Sequence, residues 1–231
     1  MFEFIYKGRF DCLITKGQFE AYVKNMYHNM KKYLRVTWSP NKIVVTMEVD
    51  PRRQKGIGGT TDYDRKTDII FRLNLQLLGF PKKEQTFELM YAMFDYTLRH
   101  EMFHFFLPSV KDNSCWSEGV TDFMTHLFRR GSTDANLTNA LTELTARYHE
   151  TTDEYYKAHL YGYVTGFRKM LALFRKDSAY IDDIFLLIRD RNKSDATYKK
   201  EYTAEDIIKY NSDFKTFFVG MCNKHIPHVF K

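Results

Sequence analysis

The sequence predicts an α+β fold in one domain, with a mixed N-terminal half over residues 1–108 and an all-helical C-terminal half over residues 109–231. Three observations carry this. Pro40, Pro51, Pro81 and Pro108 punctuate the first half, and the next proline is Pro227, so nothing from Ser109 to Ile226 interrupts a helix by ring constraint. Short β-branched runs occur only in the first half. Apolar residues at helical spacing occur in both.

Phe2–Tyr6 is a short apolar and aromatic run and reads as a strand. From Thr15 to Arg35 the apolar residues Phe19, Tyr22, Val23, Met26, Tyr27, Met30 and Leu34 fall on one helical stripe. Lys42–Val49 is β-branched, ends at Asp50-Pro51 and reads as a strand. Gly56-Ile-Gly-Gly59 reads as a turn, and Thr67–Leu73 as a further strand. A long helix is expected from Glu84 to Leu107, stopped by Pro108, with Phe87, Met90, Tyr91, Phe94, Leu98 and Phe105 on its stripe. The next helix starts after Asp112-Asn113-Ser114, any of which can cap it, and ends at Gly131. Helices follow at Ala135–His149, Glu154–Arg175, Tyr180–Arg189 and after Thr203.

Composition narrows the function classes. With 231 residues, 44% hydrophobic and 28% charged, the chain is an ordinary globular protein, not a disordered or fibrous one. No uncharged apolar run approaches the roughly 18–20 residues of a membrane helix, so no membrane partner is expected. The stretch Met1–Lys7 has an acid at position 3 and no basic leader, so no secretory signal is expected there. Cys12, Cys115 and Cys222 are odd in number and lack C-x-x-C spacing; they read as reduced thiols in a cytoplasmic protein. The net charge of +6 is spread over scattered pairs such as Arg52-Arg53 and Lys199-Lys200, which reads as solvated surface more readily than as a nucleic-acid stripe.

His100-Glu101-Met102-Phe103-His104 is H-E-x-x-H inside the long helix. Residues i and i+4 share a helix face, so both imidazoles can reach one metal ion at roughly 2.0–2.1 Å. Glu101 lies one residue round, where a general base can take a proton from an activated water. A peptidase-type zinc site needs a third protein ligand. The next acids are Asp112 and then Glu118, and a turn followed by an antiparallel helix would carry Glu118 back over the histidines. Asp122, one turn beyond Glu118, is placed to accept the free N–H of a ligand histidine. The competing reading of Glu118 alone is a helix N-terminal acid that offsets the dipole.

The run H-E-x-x-H, a short gap and then W-x-E-G-x-T-x-aromatic resembles the gluzincin metallopeptidases. It is most similar to the glycyl aminopeptidase family and its leucyl-type relatives. The matching residues are His100, Glu101, His104, Trp116, Glu118, Gly119, Thr121, Phe123 and Arg130-Gly131. Looser likeness runs through Tyr163-Val-Thr-Gly166 and Ser178–Phe185 to Thr203–Phe218. The resemblance implies a thermolysin-like catalytic domain. In it a small mixed sheet with helices forms the N-terminal half, helices form the C-terminal half, and the active-site cleft lies between. It implies one Zn2+ held by His100, His104 and Glu118, with Asp122 behind a histidine, Glu101 as general base and then acid, and a peptide or protein as substrate. The family's oxyanion donor is a tyrosine hydroxyl, which the Tyr-x-x-Gly pattern assigns to Tyr163; Tyr155, Tyr156, Tyr161 and His159 are near enough in sequence to replace it. The upstream segment Gly56–Tyr63 lacks the glutamate with which the aminopeptidases hold a free amine.

Three further readings belong beside these. His126 reads as a helix-packing histidine and Trp116 as a core anchor. The strand Thr67–Leu73 is a candidate edge for an extended substrate, the alternatives being Lys42–Val49 or neither. The rival functions are a zinc-retaining binding module without turnover, and a basic nucleic-acid-binding domain with a chance motif.

Overall fold

The computed structural model describes residues 1–7, 14–34, 36, 39–49, 59–64, 70–77, 87–106, 116–129 and 132–176. The helices expected at Tyr180–Arg189 and after Thr203, the Gly56 turn and all three cysteines lie outside the described residues. The described residues are an α+β arrangement in two compact units, residues 1–106 and residues 116–176.

In the first unit the elements run β1 (Phe2–Lys7), α1 (Lys16–Tyr33), β2 (Lys42–Val49), β3 (Gly59–Asp64), β4 (Ile70–Leu77) and α2 (Phe87–Phe106). The sheet order is β1-β2-β4-β3. β1 and β4 run parallel to β2, with Phe4 opposite Val45 and Val45 opposite Leu73, while β3 runs antiparallel to β4. Parallel neighbours need a crossover, and α1 supplies it between β1 and β2.

Local chemistry explains α1. Thr15 Oγ1 accepts from the Gln18 backbone N–H at 3.2 Å, and the Gln18 side-chain oxygen accepts from the Thr15 N–H at 2.8 Å, a reciprocal cap. Lys31 and Lys32 sit in the last turn, where the helix dipole favours cations. Phe19, Val23, Met26, Tyr27 and Met30 form its buried face. Phe19 meets Phe4 of β1 edge-on at 6.3 Å, and Tyr27 stacks on Phe106 of α2 at 5.6 Å. Burial of each such side chain stabilises by about 1.5–3 kcal/mol. In β2 the consecutive residues Ile43 to Met47 are all buried, as a strand covered on both faces requires.

Two sequence expectations change here. Gly59, the last residue of the stretch read as a turn, opens β3, whose Thr60, Thr61 and Tyr63 are good strand formers. The strand expected at Thr67–Leu73 is β4, shifted to Ile70–Leu77 because alternation continues through Asn74-Leu-Gln-Leu77. Neither candidate substrate edge is an edge: β2 and β4 are interior, and β1 and β3 are the outer strands among the described residues.

The second unit holds α3 (Trp116–Leu127), α4 (Asp134–Glu150) and α5 (Glu154–Lys176). α4 and α5 are a hairpin. Thr133 caps α4 by accepting from Asn136 N–H at 3.2 Å, and Asp153 does the same for α5 through Tyr156 N–H at 2.8 Å. Arg175 at the end of α5 forks onto Asp134 at the start of α4, with Nε 2.6 Å and Nη2 3.1 Å from its two oxygens. At the other end Arg147 donates to the Tyr156 hydroxyl at 2.9 Å. These tie both ends of an antiparallel pair. Among the described residues, no helix is long and apolar enough to cross a membrane.

Candidate metal centre

The middle of α2 is buried on every side: Leu98, Arg99, His100, Glu101, Met102 and Phe103 are each 7% exposed or less. A helix with apolar residues all round is expected in such a place, but this one carries three consecutive polar side chains. Buried polar groups must be matched. Arg99 is matched by Asp95, one turn earlier, and Asp95 also accepts from the Tyr22 hydroxyl of α1. This part-buried network links α2 to α1.

His100 and His104 rise from one face, their rings edge-on with centroids 4.7 Å apart. Their Nε2 atoms approach to 3.0 Å. Tyr96, a turn earlier, stacks on the His100 ring at 5.9 Å. Two nitrogens bound to one tetrahedral zinc at roughly 2.0–2.1 Å stand about 3.3–3.4 Å apart. The pair is thus within a few tenths of an ångström of the spacing that one ion imposes. Imidazole is also the right donor for zinc. Glu101 is buried one residue round the helix.

In the second unit the geometry centres on Gly119. A Cβ there would lie 2.2 Å from the Tyr163 carbonyl oxygen, 2.7 Å from Phe167 N and 2.9 Å from the Gly162 carbonyl oxygen. The backbones of α3 and α5 therefore touch, which only glycine permits. Gly162 and Gly166 are buried at the same crossing. One turn on, Phe123 meets Phe167 edge-on at 5.3 Å, and His126 packs against Phe167 at 5.8 Å. That places His126 in the packing between helices.

This crossing sets Glu118, the neighbour of Gly119. Its carboxylate is half-buried, and Oε2 accepts from the Tyr163 hydroxyl at 2.9 Å. Asp122, one turn along α3, is 4% exposed. The other aromatic candidates on α5 sit differently. Tyr155 and Tyr161 are 88% and 60% exposed, and the Tyr156 hydroxyl accepts from Arg147. The His159 ring lies edge-on to Tyr163 at 5.1 Å.

The structure thus joins His100 with His104 on α2 and Glu118 with Tyr163 across α3 and α5. The Tyr22–Asp95–Arg99 network and the Gly119 crossing were not found from sequence. The signals were an Asp and an Arg four residues apart within an apolar helix, and small residues at 119, 162 and 166. No family model and no curated protein sequence matches this chain.

Proposed function

We propose that this protein is a zinc-dependent peptidase with a thermolysin-like, gluzincin type of catalytic domain. His100, His104 and Glu118 are its ligands for one ion. The observation that carries the reading is the His100–His104 pair, with Nε2 atoms 3.0 Å apart on one face of α2. A His-His-Glu group of this composition can hold a metal ion, and the half-buried carboxylate of Glu118 completes the usual donor set of a hydrolytic zinc site.

Zinc, when bound, supplies a Lewis acid that makes a neighbouring water acidic and polarises the peptide carbonyl. The chain's own residues do the rest. Glu101, buried beside the pair, takes the water's proton as it attacks and returns it to the leaving nitrogen. Burial keeps bulk water away and strengthens each charge interaction. On this reading Asp122 would accept the outer N–H of a ligand imidazole. The Tyr163 hydroxyl, with the His159 ring beside it, donates to the Glu118 carboxylate.

The test is metal analysis with peptide digestion. About one zinc per chain is expected in both the wild type and Glu101→Gln. Loss of a general base lowers turnover by about 10²–10⁴-fold. Equal digestion of mixed peptides by both proteins ends the peptidase reading. Metal-free protein that binds nucleic acid with a steep salt dependence would support the rival instead.

A further inference from the structure

We propose that Tyr163 is a positioning residue for Glu118: its hydroxyl holds the carboxylate in the orientation that binds metal. This rests on the zinc reading above and deepens it, because a donor to the oxyanion and a holder of the ligand are different roles.

The argument starts from the crossing of α3 and α5. Backbone contact at Gly119, with a hypothetical Cβ 2.2 Å from the Tyr163 carbonyl oxygen, leaves these helices no freedom to slide. The Phe123–Phe167 contact fixes the register one turn further on. Residues 118 and 163 are therefore opposed by packing, and the 2.9 Å hydrogen bond between them is built into the helix pair. A carboxylate offers two oxygens with about four lone-pair directions. Tyr163 takes one of these directions at Oε2. A carboxylate gripped in this way has lost its rotational freedom before metal arrives, which raises affinity by lowering the ordering cost. The hydroxyl has one proton. While it is donated to Glu118 it is not available to a reacting carbonyl oxygen, so the first effect of its removal falls on the metal.

Zinc dissociation constants are to be measured by competition with a chromophoric chelator for the wild type, Tyr163→Phe, Glu118→Gln and the double variant. Tyr163→Phe is expected to weaken binding by about 10–100-fold, as for other groups behind metal ligands. In the Glu118→Gln background, the same substitution is expected to add little. At saturating zinc, kcat of Tyr163→Phe is expected to recover to near the wild-type value. Unchanged zinc affinity in Tyr163→Phe, with Glu118→Gln weakened, overturns the positioning role and leaves the zinc reading standing. A kcat that stays at least tenfold down at saturating zinc, with affinity intact, overturns it too and returns Tyr163 to the oxyanion. If neither the wild type nor any variant binds zinc, the zinc reading falls and this inference falls with it. Should Tyr163→Phe not fold, Tyr163→Met serves: it fills a similar length with no hydroxyl to donate to Glu118. It must then lose affinity by a similar factor, and a wild-type affinity there overturns the proposal.

Discussion

Gly119 faces the Tyr163 carbonyl oxygen so closely that any side chain at 119 would begin 2.2 Å from it. The nearest atoms belong to backbone on a regular helix, which cannot swing away as a side chain can. Gly119→Ala is therefore expected to destabilise the second unit by about 3 kcal/mol, at the top of the range for overpacked sites. It is also expected to separate Glu118 from Tyr163. Chemical denaturation followed by circular dichroism checks the first effect. A variant as stable as the wild type would mean that α3 and α5 do not cross at this point.

The Tyr22–Asp95–Arg99 network makes a second prediction. Arg99 is 7% exposed, and its Nη2 donates to both Asp95 oxygens. Asp95→Ala strips a buried guanidinium of its carboxylate, which costs about 3–5 kcal/mol. Tyr22→Phe removes a donor only and is expected to cost about 1 kcal/mol. Equal costs for the two substitutions, measured by urea titration, would contradict the ranking.

Much of the helical framework was legible before any coordinates. Glu154–Arg175 was expected and α5 is Glu154–Lys176; Ala135–His149 was expected and α4 is Asp134–Glu150. Both helices combine long apolar periodicity with capping residues, and these signals are local. The sheet was less legible. β3 begins at Gly59 and follows a run of glycines, so its turn-like start outweighs the strand preference of Thr60, Thr61 and Tyr63. Strand order depends on pairing between distant segments, which is why β2 and β4 could be mistaken for edges. The same division holds at the site. The i,i+4 spacing of His100 and His104 puts them together by helix geometry alone. The Glu118–Tyr163 contact joins residues 45 apart in sequence and needs the Gly119 crossing to exist.

A pH prediction concerns the α4–α5 hairpin. The hydrogen bond from Arg175 holds the Asp134 carboxyl below the usual carboxylate range, with the guanidinium charge acting in the same sense and desolvation opposing them. A depressed folded-state value means stability that is present above the unfolded value, about 4, and lost as pH falls through the folded one. Asp134→Asn is expected to melt slightly below the wild type at pH 7. The two melting curves should converge on acidification below about pH 3. The effect is small because both partners are about half exposed and well screened. Melting temperatures at a series of pH values test it, and a gap that widens towards acid would reverse the assigned sign.

The last prediction separates a metal site from a chance pair of histidines. A ligand that binds only the folded chain stabilises it by about 4 kcal/mol when present at a thousand times its dissociation constant. For a chain of this size, each kcal/mol moves the melting temperature by about 2–4 °C, so saturating zinc is expected to raise it by roughly 8–16 °C. A chelator should reverse the rise. In His104→Ala the imidazole 3.0 Å from His100 is gone, and the rise should shrink to a degree or two. His104 is half-buried, so its truncation leaves the fold intact for the comparison. Because the measurement needs no substrate, it addresses the ligands without reference to turnover. Equal zinc-dependent rises in the wild type and in His104→Ala would place any bound metal elsewhere. The two imidazoles would then be a hydrogen-bonded pair on a packed helix.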